Sequence, residues 1–117
     1  MSLWVKVAAL EDIPPLGARV VRSTLGDIAV FRNSADEVFA LRDKCPHKGG
    51  PLSQGIVHGR KVTCPLHGWN INLDSGAAVA PDTGCTQAFE VKVESGTIYL
   101  NLEVAQRGLR QGEQHAG

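Results

Sequence analysis

Two short boxes hold the residues of this chain best suited to metal chemistry. They are Cys45-Pro46-His47-Lys48-Gly49-Gly50 and Cys64-Pro65-Leu66-His67-Gly68-Trp69, with sixteen residues between His47 and Cys64. Each box offers one soft anionic sulfur and one imidazole nitrogen. Such a set serves two kinds of centre. In a dinuclear iron–sulfur centre of mixed ligation, two thiolates bind one iron and two histidines the other, so each loop must reach across both metals. A Cys-x-His facing a Cys-x-x-His has that reach. A structural zinc accepts the same four donors, but in zinc sites like residues usually pair, as Cys-x₂₋₄-Cys and His-x₃₋₅-His. Here each box mixes the two types, which favours a [2Fe-2S] centre held by Cys45, His47, Cys64 and His67, with a zinc-stabilised interaction module as the alternative.

The elements around the boxes read as β-structure. Short apolar segments bounded by turn residues run over Leu3 to Val7, Arg19 to Arg22, Asp27 to Phe31, Val38 to Arg42, Arg60 to Thr63 and Trp69 to Leu73, and none sustains a helical period. Phe89, Val91 and Val93 alternate with charged residues, Ser95-Gly96 follows, and Ile98, Leu100 and Leu102 alternate again. That pattern predicts a β-hairpin with one wet face. Helix amounts to a turn or two around Leu10 to Ile13. The fold class is therefore all-β, an antiparallel sandwich or barrel. Residues 43–75, rich in proline and glycine around the cysteines and histidines, form an inserted, loop-built subdomain within a domain spanning 1–104. Residues 105–117 read as a mobile polar tail.

Within the boxes, glycine lets the chain approach a cluster closely and aim backbone N–H groups at bridging sulfides. Pro46 and Pro65, one after each cysteine, restrict the loops before a metal arrives.

Composition narrows the function. Twelve basic and twelve acidic side chains leave no net charge, and no Lys/Arg stripe with interleaved aromatics marks a nucleic-acid surface. No stretch approaches the roughly 20 apolar residues of a membrane helix, and the first ten residues lack the pattern of a secretory signal. Three cysteines are no disulfide framework and fit a reducing compartment, with the cytoplasm as the expected location. No dinucleotide fingerprint or catalytic triad is present, so no catalytic residue is assigned.

The two boxes resemble the Rieske signature. The run from Cys45 through Gly59, followed by Cys64-Pro-Leu-His and Asp82-Thr-Gly-Cys85, resembles more narrowly the small subunit of assimilatory NADH-dependent nitrite reductase. The resemblance covers roughly residues 3–103. It implies three small antiparallel sheets with the cluster loops as an inserted subdomain, a Rieske-type [2Fe-2S] cofactor, and electron transfer to or beside a large flavin and sirohaem subunit that reduces nitrite to ammonium. A ferredoxin supplying a ring-hydroxylating dioxygenase carries the same ligands at similar length and is the alternative within the family. Respiratory relatives have a cysteine where this chain has Gly50 and Leu66, and a serine where it has Trp69. Fewer hydrogen bonds to sulfur disfavour the reduced state, so the potential is expected toward the lower end of a span of about −150 to +300 mV. The nitrite reductase group often has Asn where this chain has Gly68.

Other residues take plainer roles. His58 and His115 are read as solvated, Cys85 as a small buried residue, Trp69 as packing under the second loop and Trp4 as core. Lys48, His58, Arg60 and Lys61 are read as scattered solvated charges, with a basic docking rim as the alternative.

Overall fold

The computed structural model describes residues 4–23, 26–46, 50–66 and 68–101. His47, Lys48, His67, Leu102, His115 and the segment 105–117 lie outside these. Alternation in residues 88–101 produces β8 (Ala88–Glu94) and β9 (Thr97–Asn101). Ser95 and Gly96 turn the chain between them with φ of 51° and 76°, the left-handed values that both centres of a two-residue type I′ turn require. Phe89, Ile98 and Leu100 are buried, while Val93, near the turn, is 40% exposed.

Three further segments join this hairpin on one side and one on the other. β1 (Trp4–Ala9) pairs with β9, its register shifting between Lys6 and Ala8. β4 (Val38–Arg42) meets β8 through only Ala40↔Phe89 and Leu41↔Ala88. β3 (Gly26–Arg32) and β2 (Ala18–Ser23) follow, giving a six-stranded antiparallel sheet of order β1-β9-β8-β4-β3-β2. The narrow β4–β8 seam divides it into two three-stranded halves, which wrap into a nearly closed barrel. With the small sheet described below, this matches the three antiparallel sheets implied by the resemblance.

β3 explains how the barrel and the site share a core. Ile28 and Val30 face one apolar cluster with Ile13, Ala40, Phe89, Ile98 and Leu100. Ala29 and Phe31 face a second, containing Leu41, Cys45, Leu52, Val57, Val62, Cys64, Ile71 and Leu73. A strand covered on both faces reads as an unbroken apolar run, and Ile28 through Phe31 are each at most 1% exposed.

The inserted subdomain contains more sheet than its composition predicts. β5 (Ile56–His58), β6 (Lys61–Thr63) and β7 (Asn70–Asn72) form a three-stranded antiparallel sheet. β5 escapes the sequence because it is three residues long, lies between Gly55 and Gly59, and leaves Ile56 70% exposed. A 3₁₀ turn over Leu52–Gln54 accompanies the expected one at Leu10–Asp12. Among the described residues no helix is long and apolar enough to cross a membrane.

A polar latch joins the subdomain to the barrel. Asn33, 2% exposed, accepts at Oδ1 from the N–H groups of Ala35 and Glu37, at 3.0 and 2.9 Å. Its Nδ2 donates to Glu37 Oε1 at 2.9 Å and to the Gly59 carbonyl, in the β5–β6 turn, at 3.0 Å. The Arg60 guanidinium grips both Glu37 carboxylate oxygens. Hydrogen bonds from Arg60 first, and from Asn33 second, lower the Glu37 pKa from 4.5 to about 2.

Two sequence expectations are corrected. Cys85 is exposed rather than buried, because it sits at an isolated bridge to Ala77 in an irregular crossing segment with no alternation to turn it inward. Trp4 belongs to neither core cluster: it is half-buried on the outer face of the sheet, where the Lys92 ammonium lies 4.5 Å from its ring centroid in a cation–π contact.

Candidate metal centre

Each box is closed at its base by the backbone of its own cysteine. In the first, Cys45 N–H donates to the Gly50 carbonyl at 2.7 Å. In the second, Cys64 N–H donates to the Trp69 carbonyl at 2.7 Å, and Gly68 N–H returns to the Cys64 carbonyl at 3.1 Å. Gly68 takes φ 73°, a left-handed turn that glycine enters without cost. Side chains add a second closure to each loop. The Asp43 carboxylate accepts from Ser53 N–H at 2.7 Å and Ser53 Oγ at 2.8 Å, spanning the first box. Thr63 Oγ1 donates to Asn70 Oδ1 at 2.6 Å, spanning the second.

The loops meet at Gly50. A Cβ built there would lie 2.6 Å from Leu66 Cδ1 and 3.8 Å from Cys64 Sγ, so the chain of the first box passes directly beside the thiol of the second. Cys45 and Cys64 are 2% and 3% exposed, and both belong to the apolar cluster shared with β3. Trp69, half-buried, packs against that cluster, as expected of a residue under the second loop. A third segment closes in at Gly84, where an added Cβ would lie 3.4 Å from Pro46 Cβ.

This arrangement fits a thiolate-bound centre. Two cysteines from separate loops converge in an apolar, water-poor shell, none of the three cysteines forms a disulfide, and the contact between loops is made where a side chain is missing. Among the described residues no three His, Cys, Asp or Glu side chains gather around a metal-sized site; His47 and His67, the other two expected ligands, lie outside them. Both neighbour described backbone, at Pro46 and at Leu66 and Gly68.

Two of the remaining charged candidates are committed elsewhere. Arg60 holds Glu37, and exposed His58 bonds Thr63 through Nε2 at 2.7 Å, so these two do not stand as free members of a basic rim. Asp43, Ser53, Thr63 and Asn70 carried no signal in the sequence. Each has a turn-like or loop-like residue type, and its partner lies seven or ten residues away.

Comparison with known proteins bears on this geometry. The Rieske [2Fe-2S] domain family matches residues 3–90. Ferredoxin CarAc of Metapseudomonas resinovorans is 36% identical over 101 residues, which are 85% of this chain and 94% of that protein. The ferredoxin-bound complex of carbazole 1,9a-dioxygenase contains a chain that superposes with TM-score 0.74 at 34% identity, covering 84% of this chain and 92% of that one. A protein described as a nitrite reductase NADPH small subunit superposes with TM-score 0.75 at 25% identity, covering 84% of this chain and 97% of the other. Other relatives are much longer: the chain spans 23% of the 4beta-methylsterol monooxygenase of Methylococcus capsulatus, at 36% identity. Paired cysteine loops, an antiparallel barrel with an inserted three-stranded sheet, and a match over most of the sequence lead to one assignment: the chain belongs to the Rieske [2Fe-2S] domain family, its cofactor is a Rieske-type [2Fe-2S] cluster, and it transfers electrons.

Proposed function

We propose that the chain is the ferredoxin component of an oxygenase system, passing single electrons to a ring-hydroxylating dioxygenase from a cluster held by Cys45, His47, Cys64 and His67. The observation that carries this reading is the likeness to CarAc, 36% identical over 94% of that ferredoxin's length. The sequence run alone gave nitrite reductase first place. Among solved structures, however, one dioxygenase ferredoxin is 34% identical, against 25% for a nitrite reductase small subunit, which adds weight to the oxygenase. The nitrite reductase reading stays as the second, favoured by the Asp82-Thr-Gly-Cys85 run and by the 97% coverage of that subunit.

When bound, the cluster takes up and releases one electron at a time. The protein supplies the surroundings. Cys45 and Cys64 present sulfur from loops whose bases are already hydrogen-bonded, so little rearrangement accompanies the change of charge. Phe31, Leu41, Leu52 and Ile71, all buried, keep water from the thiol side. On the outside, Leu66 is 51% and Ile56 70% exposed, with Pro51 and Pro65 also exposed. Apolar side chains left in water beside the loops suit brief coverage by a redox partner. That partner belongs with the protein in the cytoplasm.

The test is direct. Protein reduced anaerobically is mixed in a stopped-flow instrument with the oxygenase component of a carbazole-type dioxygenase, and separately with a sirohaem nitrite reductase large subunit. Fast, saturable reoxidation by the oxygenase and slow reoxidation by the reductase are expected. The reverse order would transfer the assignment to nitrite reduction.

A further inference from the structure

The outer face of the small sheet carries a chain of side-chain hydrogen bonds that electron transfer, as described above, leaves without a role. Strand pairing sets Thr63 between Ile56 and Asn70, and His58 opposite Lys61. His58, Thr63 and Asn70 therefore share the face opposite Val57, Val62 and Ile71, which point into the core. Thr63 Oγ1 donates to Asn70 Oδ1 at 2.6 Å and lies 2.7 Å from His58 Nε2. A hydroxyl has one proton to give. Thr63 gives it to Asn70 and its oxygen also meets His58 Nε2, so the three groups form one hydrogen-bonded chain.

The position of this chain gives it significance. Thr63 immediately precedes Cys64 and Asn70 immediately follows Trp69, the two residues whose backbones close the second loop at 2.7 Å. The side-chain bridge spans the same base one residue further out. We infer that Thr63 and Asn70, with His58 bonded behind them, are positioning residues that fix the mouth of the second loop and thereby set the reduction potential of the cluster and its retention. The inference rests on the reading of Cys64 and His67 as ligands. A loop free to widen at its base would hold any amide that donates to a bound cluster's sulfides less constantly. Weaker hydrogen bonds to sulfur disfavour the more negative, reduced state.

The holoprotein is prepared anaerobically as wild type, Thr63→Val, Thr63→Ser and His58→Phe. Iron and sulfide content, midpoint potential by spectroscopic titration, the rate of colour loss in chelator, and Tm are then measured. Thr63→Val keeps the shape of the side chain and removes both hydrogen bonds. It is expected to lower the potential and to speed colour loss severalfold. Thr63→Ser is expected to restore both. His58→Phe, at an exposed position that leaves the core intact, is expected to shift the potential in the same direction by less. A Thr63→Val protein with lowered Tm and unchanged potential would overturn the inference, as would an unchanged potential in His58→Phe should Thr63→Val fail to fold. Wild-type protein without iron and sulfide would instead overturn the ligand reading, and this inference with it.

Discussion

Leu66 covers Gly50: a Cβ on Gly50 would lie 2.6 Å from Leu66 Cδ1 and 2.7 Å from its Cγ. The two cluster loops thus touch through a side chain of one and the bare backbone of the other. At this point the loops are joined by apolar contact and by no disulfide. The contact is also tight enough to be tested by a single methyl group.

Gly50→Ala is expected to push Leu66 aside and part the loops. Overpacking of this kind costs about 1–3 kcal/mol, and purified protein should carry less iron and sulfide than wild type. Leu66→Ala in the same chain removes the obstructing atoms and should restore loading. A fully loaded Gly50→Ala protein would show that the loops yield without cost.

Phe31 is the point where barrel and subdomain depend on each other, being wholly buried in the cluster that also contains Cys45 and Cys64. Phe31→Ala is expected to destabilise the protein by about 3–5 kcal/mol, measured by denaturant unfolding. It should also speed cluster loss, because the cavity opens on the thiol side. A loss below about 1 kcal/mol would mean that the two parts fold independently of this contact.

The latch of Glu37 and Arg60 predicts a pH dependence of definite sign. Glu37 titrates at about 2 in the folded protein, against 4.5 ordinarily. Its carboxylate therefore contributes stability that is complete above the unfolded pKa and is lost as pH falls through the folded one. Wild type should exceed Glu37→Gln in Tm by a constant, small margin at neutral pH, small because Arg60 is 60% and Glu37 37% exposed and water screens the pair. The margin should shrink between about pH 4.5 and pH 2. A margin that grows on acidification would contradict the assignment.

How far the sequence reached follows from what kind of pattern each feature leaves. The β8–β9 hairpin was legible because alternation and Ser95-Gly96 agree on one structure, and the Leu10–Asp12 turn was placed to within a residue. The convergence of Cys45 and Cys64 was legible from donor type and spacing. β5 was not, since three residues between glycines with an exposed Ile56 offer neither length nor period. The burial of Cys85 was misjudged for want of alternation in the segment that carries it, and Trp4 because a large aromatic can be sheltered by a lysine chain as well as by a core. The closures by Asp43–Ser53 and Thr63–Asn70, and the latch of Asn33 and Glu37 onto Gly59 and Arg60, depend on tertiary pairing. Single polar residues give no advance notice of that.

Two mixed cysteine–histidine loops would hold a dinuclear cluster by different ligands at each iron. Mössbauer spectra of the reduced, iron-57-enriched protein test it most directly. Two inequivalent iron sites in equal amounts are expected, one ferric with sulfur-only surroundings and one ferrous with nitrogen ligands, the pattern being lost on substitution of His47 or His67. Two irons in identical all-sulfur environments, or zinc in place of iron and sulfide, would contradict it.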